Sequence, residues 1–136
     1  ANKKKIFLDR SSSSFNHCQI ENIEQIIKLI SKKNIRIYKP ESLSFKKQIK
    51  LFNSSSLIIG AHGAAFTNII FCKPGTKIIE IMPSDHPNQK CKRISKILNL
   101  RYYRIKTVPN NNDANFPFKI NLSKENLEHI EKIISL

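Results

Sequence analysis

The segment Ser54–Met82, SSSLIIGAHGAAFTNIIFCKPGTKIIEIM, leaves few folds open to this chain. An apolar run, Leu57-Ile58-Ile59, enters Gly60-Ala61-His62-Gly63-Ala64-Ala65, and a short helix is predicted over Ala64–Phe71. Lys73-Pro74-Gly75-Thr76 then turns the chain into a second apolar strand, Lys77–Ile81. Gly75, following Pro74, suits a turn that needs a positive φ. Two of the chain's three glycines lie at the first turn, where backbone can approach a ligand with no side chain between them. The first N–H groups of a helix lack intrahelical partners, so a strand, glycine turn and helix start together form an anion site. The pattern implies a phosphorylated ligand.

The flanking segments extend the same alternation. Ile6-Phe7-Leu8 reads as a short buried strand, ended by Asp9-Arg10 and the serine run Ser11–Ser14. Ile20, Ile23, Ile26, Ile27 and Ile30 have helical spacing, with Glu21 and Glu24 early and Lys32 and Lys33 late, as a helix dipole favours. Ile35–Tyr38 alternates as a strand, stopped by Lys39-Pro40. Ser44 is the expected N-cap of a helix over Phe45–Phe52 with Ile49 and Phe52 inward. After the loop Pro83–Pro87, a helix is predicted over Asn88–Asn99 with Ile94, Ile97 and Leu98 inward, then a strand over Arg101–Lys106. Thr107–Asn121, with three consecutive asparagines and two prolines, reads as a loop. Ser123 caps a last helix through Leu136, with Leu127, Ile130 and Ile134 as its stripe.

Strands that are apolar end to end, alternating with helices, predict a single α/β domain over residues 1–136, a doubly wound, Rossmann-like parallel sheet. Such sheets bind ligands at the carboxyl ends of their strands. Asp9-Arg10 and the Gly60–Gly63 turn both fall at such ends.

The net charge of +14 would attract polyanions. Its lysines are spread along the chain, however, and richness in Lys, Asn and Ile together is what an AT-rich genome produces. No RNP-type aromatics, KH-type glycine clamp or zinc-finger spacing accompanies the charge, so no nucleic acid is expected as a partner. No apolar run nears the roughly 20 residues of a membrane span, and no transmembrane segment is expected. The chain opens Ala-Asn-Lys-Lys-Lys, without Met or an apolar signal region, which suggests a fragment. Cys18, Cys72 and Cys91, odd in number and far apart, argue for buried or incidental thiols in a reducing, cytoplasmic compartment. His17-Cys18 and His86 with Cys91 lack metal-binding spacing, so no metal is expected.

Taken in order, Ile6-Phe7-Leu8-Asp9-Arg10, Glu21–Glu24, Phe45–Phe52 with Gln48, Gly60-Ala61-His62-Gly63-Ala64, Thr67-Asn68, Pro74-Gly75 and Ile79-Glu80 resemble glycosyltransferase family 61, a family that includes capsular-polysaccharide transferases. The resemblance covers Lys4–Met82 and fades after Pro83. Two features depart from the family pattern: Asn16-His17-Cys18 stands where further arginines are usual, and Glu21-Asn22 reverses an Asn-Glu pair. The resemblance implies the C-terminal, donor-binding half of a GT-B enzyme, with two Rossmann-like domains and a cleft between them. It further implies inverting, metal-independent transfer from a nucleotide-sugar, UDP-linked in the first instance, to a glycan or polysaccharide acceptor. The N-terminal acceptor domain would lie outside this chain, leaving the fragment inactive alone, and no cofactor would be needed. The inner face of the membrane, where polysaccharide is assembled, is a candidate place for such work.

Each candidate residue has two readings. His62 would stabilise the donor diphosphate as the nucleotide leaves, or hold the turn in shape. Gly60, Gly63, Ala64 and Ala65 would offer backbone to phosphate, or let helix and strand pack closely. Arg10 has a forked cation suited to phosphate oxygens, or is a solvated surface charge. Glu80 would bind ribose hydroxyls, or pair with a lysine. Thr67 and Asn68 would meet ligand or cap the helix, and Gln48 would be structural or a nucleotide contact. A dinucleotide site is weak because Gly60-x-x-Gly63 lacks the G-x-G-x-x-G spacing. An esterase reading lacks a nucleophile elbow. The alternative from another class is a basic, non-enzymatic α/β module that binds nucleic acid or another polyanion.

Overall fold

Alternating apolar positions in β1 (Lys4–Leu8) send Phe7 to one side of a sheet and Ile6 and Leu8 to the other. The same alternation in β3 (Ser55–Ala61) and β4 (Lys77–Pro83) makes two cores, one on each face of a parallel sheet completed by β2 (Arg36–Tyr38) and β5 (Arg101–Thr107). In the computed structural model, residues 3–10, 18–108 and 119–136 are described. Their five strands are all parallel, in the order β2-β1-β3-β4-β5. The doubly wound α/β expectation is met. The Ser11–Ser14 run, His17 and the prolines and asparagines of 109–117 lie outside the described residues.

Helices α1 (Ile23–Ser31) and α4 (Lys124–Ile134) cover one face, through Ile26, Ile30, Ile130 and Ile133. Helices α2 (Phe45–Asn53) and α3 (Lys90–Leu98) cover the other, with a 3-10 helix (Ala64–Phe71) contacting both. Ser44 accepts from Lys47 N at 3.2 Å, and Ser123 and Asn126 form a reciprocal capping box, as their side chains predict. Gly75 has φ of 87°, the positive value expected after Pro74. Among the described residues, no helix is long and apolar enough to cross a membrane.

Several expectations need correction. The residues of α3 that turn inward are Cys91 and Ser95, with Ile94 and Leu98 half-buried, whereas Ile97 is 77% exposed. At about 100° per residue, Ile97 lies roughly 120° round the helix from Cys91, so hydrophobicity alone misassigned it. In α2, Leu51 joins Phe52 in the core while Ile49 is only half-buried, and in α4 Ile133 is buried more deeply than Leu127 or Ile134. Helix α1 starts at Ile23, because Ile20 pairs with Ile120 in an isolated parallel bridge. Asn22 secures this junction, donating to Leu122 O at 2.8 Å and accepting from Leu122 N at 2.9 Å. Thr107 and residues 120–122 are therefore structured at the margins of the expected loop. The stretch after Gly63 winds more tightly than an α-helix, with Phe66 N donating to Gly63 O and Cys72 N to Ile69 O.

Candidate functional site

The chain runs from β1 outward to β2, then returns past β1 to β3, so the winding reverses between β1 and β3. At such a switch the connections leave in opposite directions and open a crevice at the strands' carboxyl ends. Arg10 follows β1 and His62 follows β3, and the structure brings them together. Arg10 Nη1 donates to His62 O at 2.5 Å, and its guanidinium lies over Gly63. A Cβ on Gly63 would come within 2.3 Å of Arg10 Cζ, so the missing side chain is what admits the arginine. Gly63 itself is extended (φ 175°), so its small size is what matters here. Inside the crevice, the cavity between Leu8, Arg10 and Ile23 holds only about 30 Å³.

Gly60 has another role. A Cβ there would stand 2.9 Å from Phe66 Cε2 and 3.3 Å from Leu8 O, so this glycine lets β1, β3 and the 3-10 helix close together. Ala64 is exposed at the start of that helix, and Ala65 and Thr67 are half-buried. Asn68 is buried and donates to Gln48 Oε1 at 2.7 Å, while Gln48 donates to Pro40 O and Leu43 O. The Asn68–Gln48 pair thus ties α2 to the 3-10 helix, where the sequence offered Asn68 as a cap of its own helix.

Glu80 lies under His62 and is 1% exposed. Its Oε2 is 2.7 Å from His62 Nδ1 and its Oε1 accepts from the Tyr102 hydroxyl. Arg104 Nη2 lies 3.8 Å from Oε1, while Arg104 Nε donates to Tyr102 Oη at 3.0 Å. Arg104 also donates to Asn88 O at 2.8 Å, joining the loop after β4 to the same group. Glu80 was open to ribose hydroxyls or a lysine; the groups around it in the structure are His62, Tyr102 and Arg104. Burial pushes the Glu80 carboxyl up, but hydrogen bonds from His62 and Tyr102 and the charge of His62 outweigh it and hold the carboxyl below its ordinary value. An ionised carboxylate only accepts, so His62 Nδ1 carries the hydrogen on the side of Glu80.

Burial, followed by the hydrogen bond and charge of Glu80, pushes the Tyr102 hydroxyl up, which keeps it a donor. His86 lies against His62 with ring centroids 4.6 Å apart. Sequence reasoning missed Tyr102, Arg104, Asn88 and His86 as members of this group. One signal was present: in β5, Tyr102 and Arg104 alternate onto one face, and register sets Arg104 beside Glu80.

His62, Glu80 and Cys91 each place a potential metal-ligand atom within 4.8 Å of the others. This set suits a cation poorly. Burial and the adjacent Glu80 charge push the Cys91 thiol up, away from the thiolate a metal requires, and Glu80 already accepts from two donors. Cys18, Cys72 and Cys91 are all free and buried.

Comparison with known proteins identifies the family. Residues 1–79 match the family model described as Glycosyltransferase 61. A beta-1,2-xylosyltransferase of Oryza sativa subsp. japonica is 33% identical over 63 residues, which are 46% of this chain and 12% of that protein. A beta-1,2-xylosyltransferase of Arabidopsis thaliana is 36% identical over 61 residues, 45% of this chain and 11% of its own length. A xylan glycosyltransferase of Arabidopsis thaliana is 37% identical over 51 residues, 37% of this chain and 10% of its own length. The chain thus spans only a small part of these relatives. Because the family model covers more than half of it, the chain belongs to the glycosyltransferase 61 family.

Proposed function

We propose that this chain is the donor-binding half of a glycosyltransferase that moves a sugar from a nucleotide-sugar, UDP-linked, to a glycan acceptor with inversion. The observation that carries the reading is the meeting of Arg10 and His62 across the β1–β3 switch point, in a chain of this family. In a single displacement, an acceptor oxygen forms a bond to the anomeric carbon as the bond to the nucleoside diphosphate breaks. Negative charge then grows on the departing diphosphate. Arg10 and His62 are placed to meet that charge, together with the N–H groups of Ala64 and Ala65. In this reading these protein groups do the work that would otherwise call for a metal ion.

Glu80 acts as a positioning residue. Held by His62, Tyr102 and Arg104, it fixes the imidazole instead of reaching the ribose directly. Gly63 admits Arg10, Gly60 sets the strand spacing, and Thr67 stands half-buried on the same helix. The base that deprotonates the acceptor belongs to a second domain, so this domain alone binds donor without turning it over. The names of the relatives make xylose the first donor sugar to try. A reducing, cytoplasmic setting at the inner membrane face belongs to the same proposal.

The test is a titration with UDP, UDP-xylose, GDP, CMP and NAD at physiological ionic strength, following backbone amide shifts, alongside His62→Ala. UDP-selective shifts at Gly60–Thr67, weakened by the substitution, are expected. Indifference to every nucleotide, with binding to RNA alone, would overturn the reading and favour the basic module.

A further inference from the structure

A second candidate site lies on the flank of the domain, between α3 and the edge strand β5. A groove of about 550 Å³ opens there, lined by Lys92, Arg93, Ser95, Lys96, Leu100 and Tyr102. Its size is that of a small-molecule site, roughly 300–1,000 Å³. Lys92, Arg93 and Lys96 are exposed on its rim, while Leu100 is buried and Tyr102 half-buried beneath.

Ser95 is the unusual member. It is 1% exposed, and its Oγ makes no hydrogen bond among the described residues. A serine inside a helix ordinarily points to solvent or bonds the carbonyl one turn back, and this one does neither. Buried hydroxyls left without a partner are uncommon, because they have given up water for nothing. Ser95 is among the residues lining this groove, whose rim is cationic.

From this combination we infer that the groove binds an anionic sugar unit. A hydroxyl donor with three cations suits a carboxylate or phosphate oxygen, and the Leu100 and Tyr102 surfaces suit the C–H face of a sugar ring. The anion site stands on the groove alone. The choice of a glycan to carry the anion rests on the transferase reading. The groove is reached from the flank of the sheet, whereas the Arg10–His62 site opens at the carboxyl ends of β1 and β3. An acidic acceptor chain held here would be anchored beside the site of transfer, and Tyr102 touches both, bonding Glu80 while lining the groove.

The test titrates the full chain with a trimer of galacturonic acid, its carboxyl-reduced neutral counterpart, inorganic phosphate and a short RNA, following amide shifts. Saturable shifts at Arg93–Lys96 and Leu100–Tyr102 with the uronate, and none with the neutral sugar, are expected. Ser95→Ala, which raises helix propensity and leaves the fold intact, should weaken uronate binding about tenfold. Lys92→Gln with Lys96→Gln should weaken it further and flatten its salt dependence. Equal binding of the neutral sugar, no loss in Ser95→Ala, or absence of saturation overturns the inference. Phosphate binding as tightly as the uronate reduces the groove to a simple anion site and overturns the saccharide assignment, and tighter binding of RNA does the same. Failure here leaves nucleotide shifts at Gly60–Thr67 untouched, so the two readings fail separately.

Discussion

Replacing Glu80 with Gln tests whether the carboxylate orients His62. The glutamate faces His62 Nδ1 at 2.7 Å, the Tyr102 hydroxyl, and Arg104 Nη2 at 3.8 Å. Glutamine keeps the shape but has one acceptor oxygen and one NH2. If the oxygen stays on His62, the NH2 confronts Tyr102 Oη, which already accepts from Arg104 at 3.0 Å. If the amide flips, the NH2 confronts His62 Nδ1 and forces the other tautomer. Either way a charge-assisted hydrogen bond is lost, about 1.5–3 kcal/mol, and the more distant Arg104 pair adds up to about 1 kcal/mol. For a domain of this size, a total of about 2–4 kcal/mol lowers Tm by roughly 6–14 °C. Thermal unfolding reads this, and 15N spectra of the imidazole read the tautomer. The pH dependence has a definite sign. Glu80 lies below its ordinary value of 4.5 in the folded state, so its contribution is fully present above that value and is lost as pH falls through the lower folded one. The gap between wild type and Glu80→Gln should stay constant from neutrality to about pH 5 and close in acid. Equal Tm at neutral pH, or a gap that widens on acidification, would refute the reasoning.

Gly60→Ala puts a methyl group 2.9 Å from Phe66 Cε2 and 3.3 Å from the Leu8 carbonyl, and backbone cannot move aside cheaply. A loss of about 1–3 kcal/mol is expected in denaturant unfolding, and no loss would show that the strand spacing is slack. Gly63→Ala instead meets the flexible end of Arg10. Stability should change by less than about 1 kcal/mol while nucleotide affinity falls about tenfold by calorimetry, and unchanged affinity would remove Arg10 from the site. Burial pushes the Cys18 and Cys72 thiols up to about 12, and Cys91 is raised as well. All three should resist a thiol reagent at neutral pH until the protein is denatured, and rapid labelling of the native protein would contradict this burial.

Local chemistry made much of the fold legible. Ser44 and Ser123 cap helices because their side chains compete for nearby N–H groups, and Pro74-Gly75 turns the chain for reasons internal to the dipeptide. Leu57–Ile59 and Ile78-Ile79 are apolar on both sides, which only a sheet covered on both faces can accommodate. Helical faces were read less well where apolar content exceeded what the core could take. Ile97 is apolar yet exposed, while Ser95 is polar yet buried, so residue type alone does not assign this face. The spacing of Ile20 permits a helix, and its bridge to Ile120 depends on a segment a hundred positions away.

The site divides along the same line. Arg10, the Gly60–Gly63 turn and His62 could be singled out from sequence, since each is marked by residue type at the end of an apolar strand. The carboxylate beneath His62 could be named but not assigned its role. Whether Glu80 reaches outward or inward depends on which neighbours fill its space, and those neighbours come from the end of β3 and from β5. Strand order, register and the meeting of Arg10 with the His62 carbonyl are properties of distant segments brought into contact, so tertiary structure alone decided them. What the sequence determined by itself was the set of local preferences: where strands and helices form, where the chain turns, and which side chains stand at the strand ends. Such preferences act within a few residues and carry no information about which distant groups will share a buried charge.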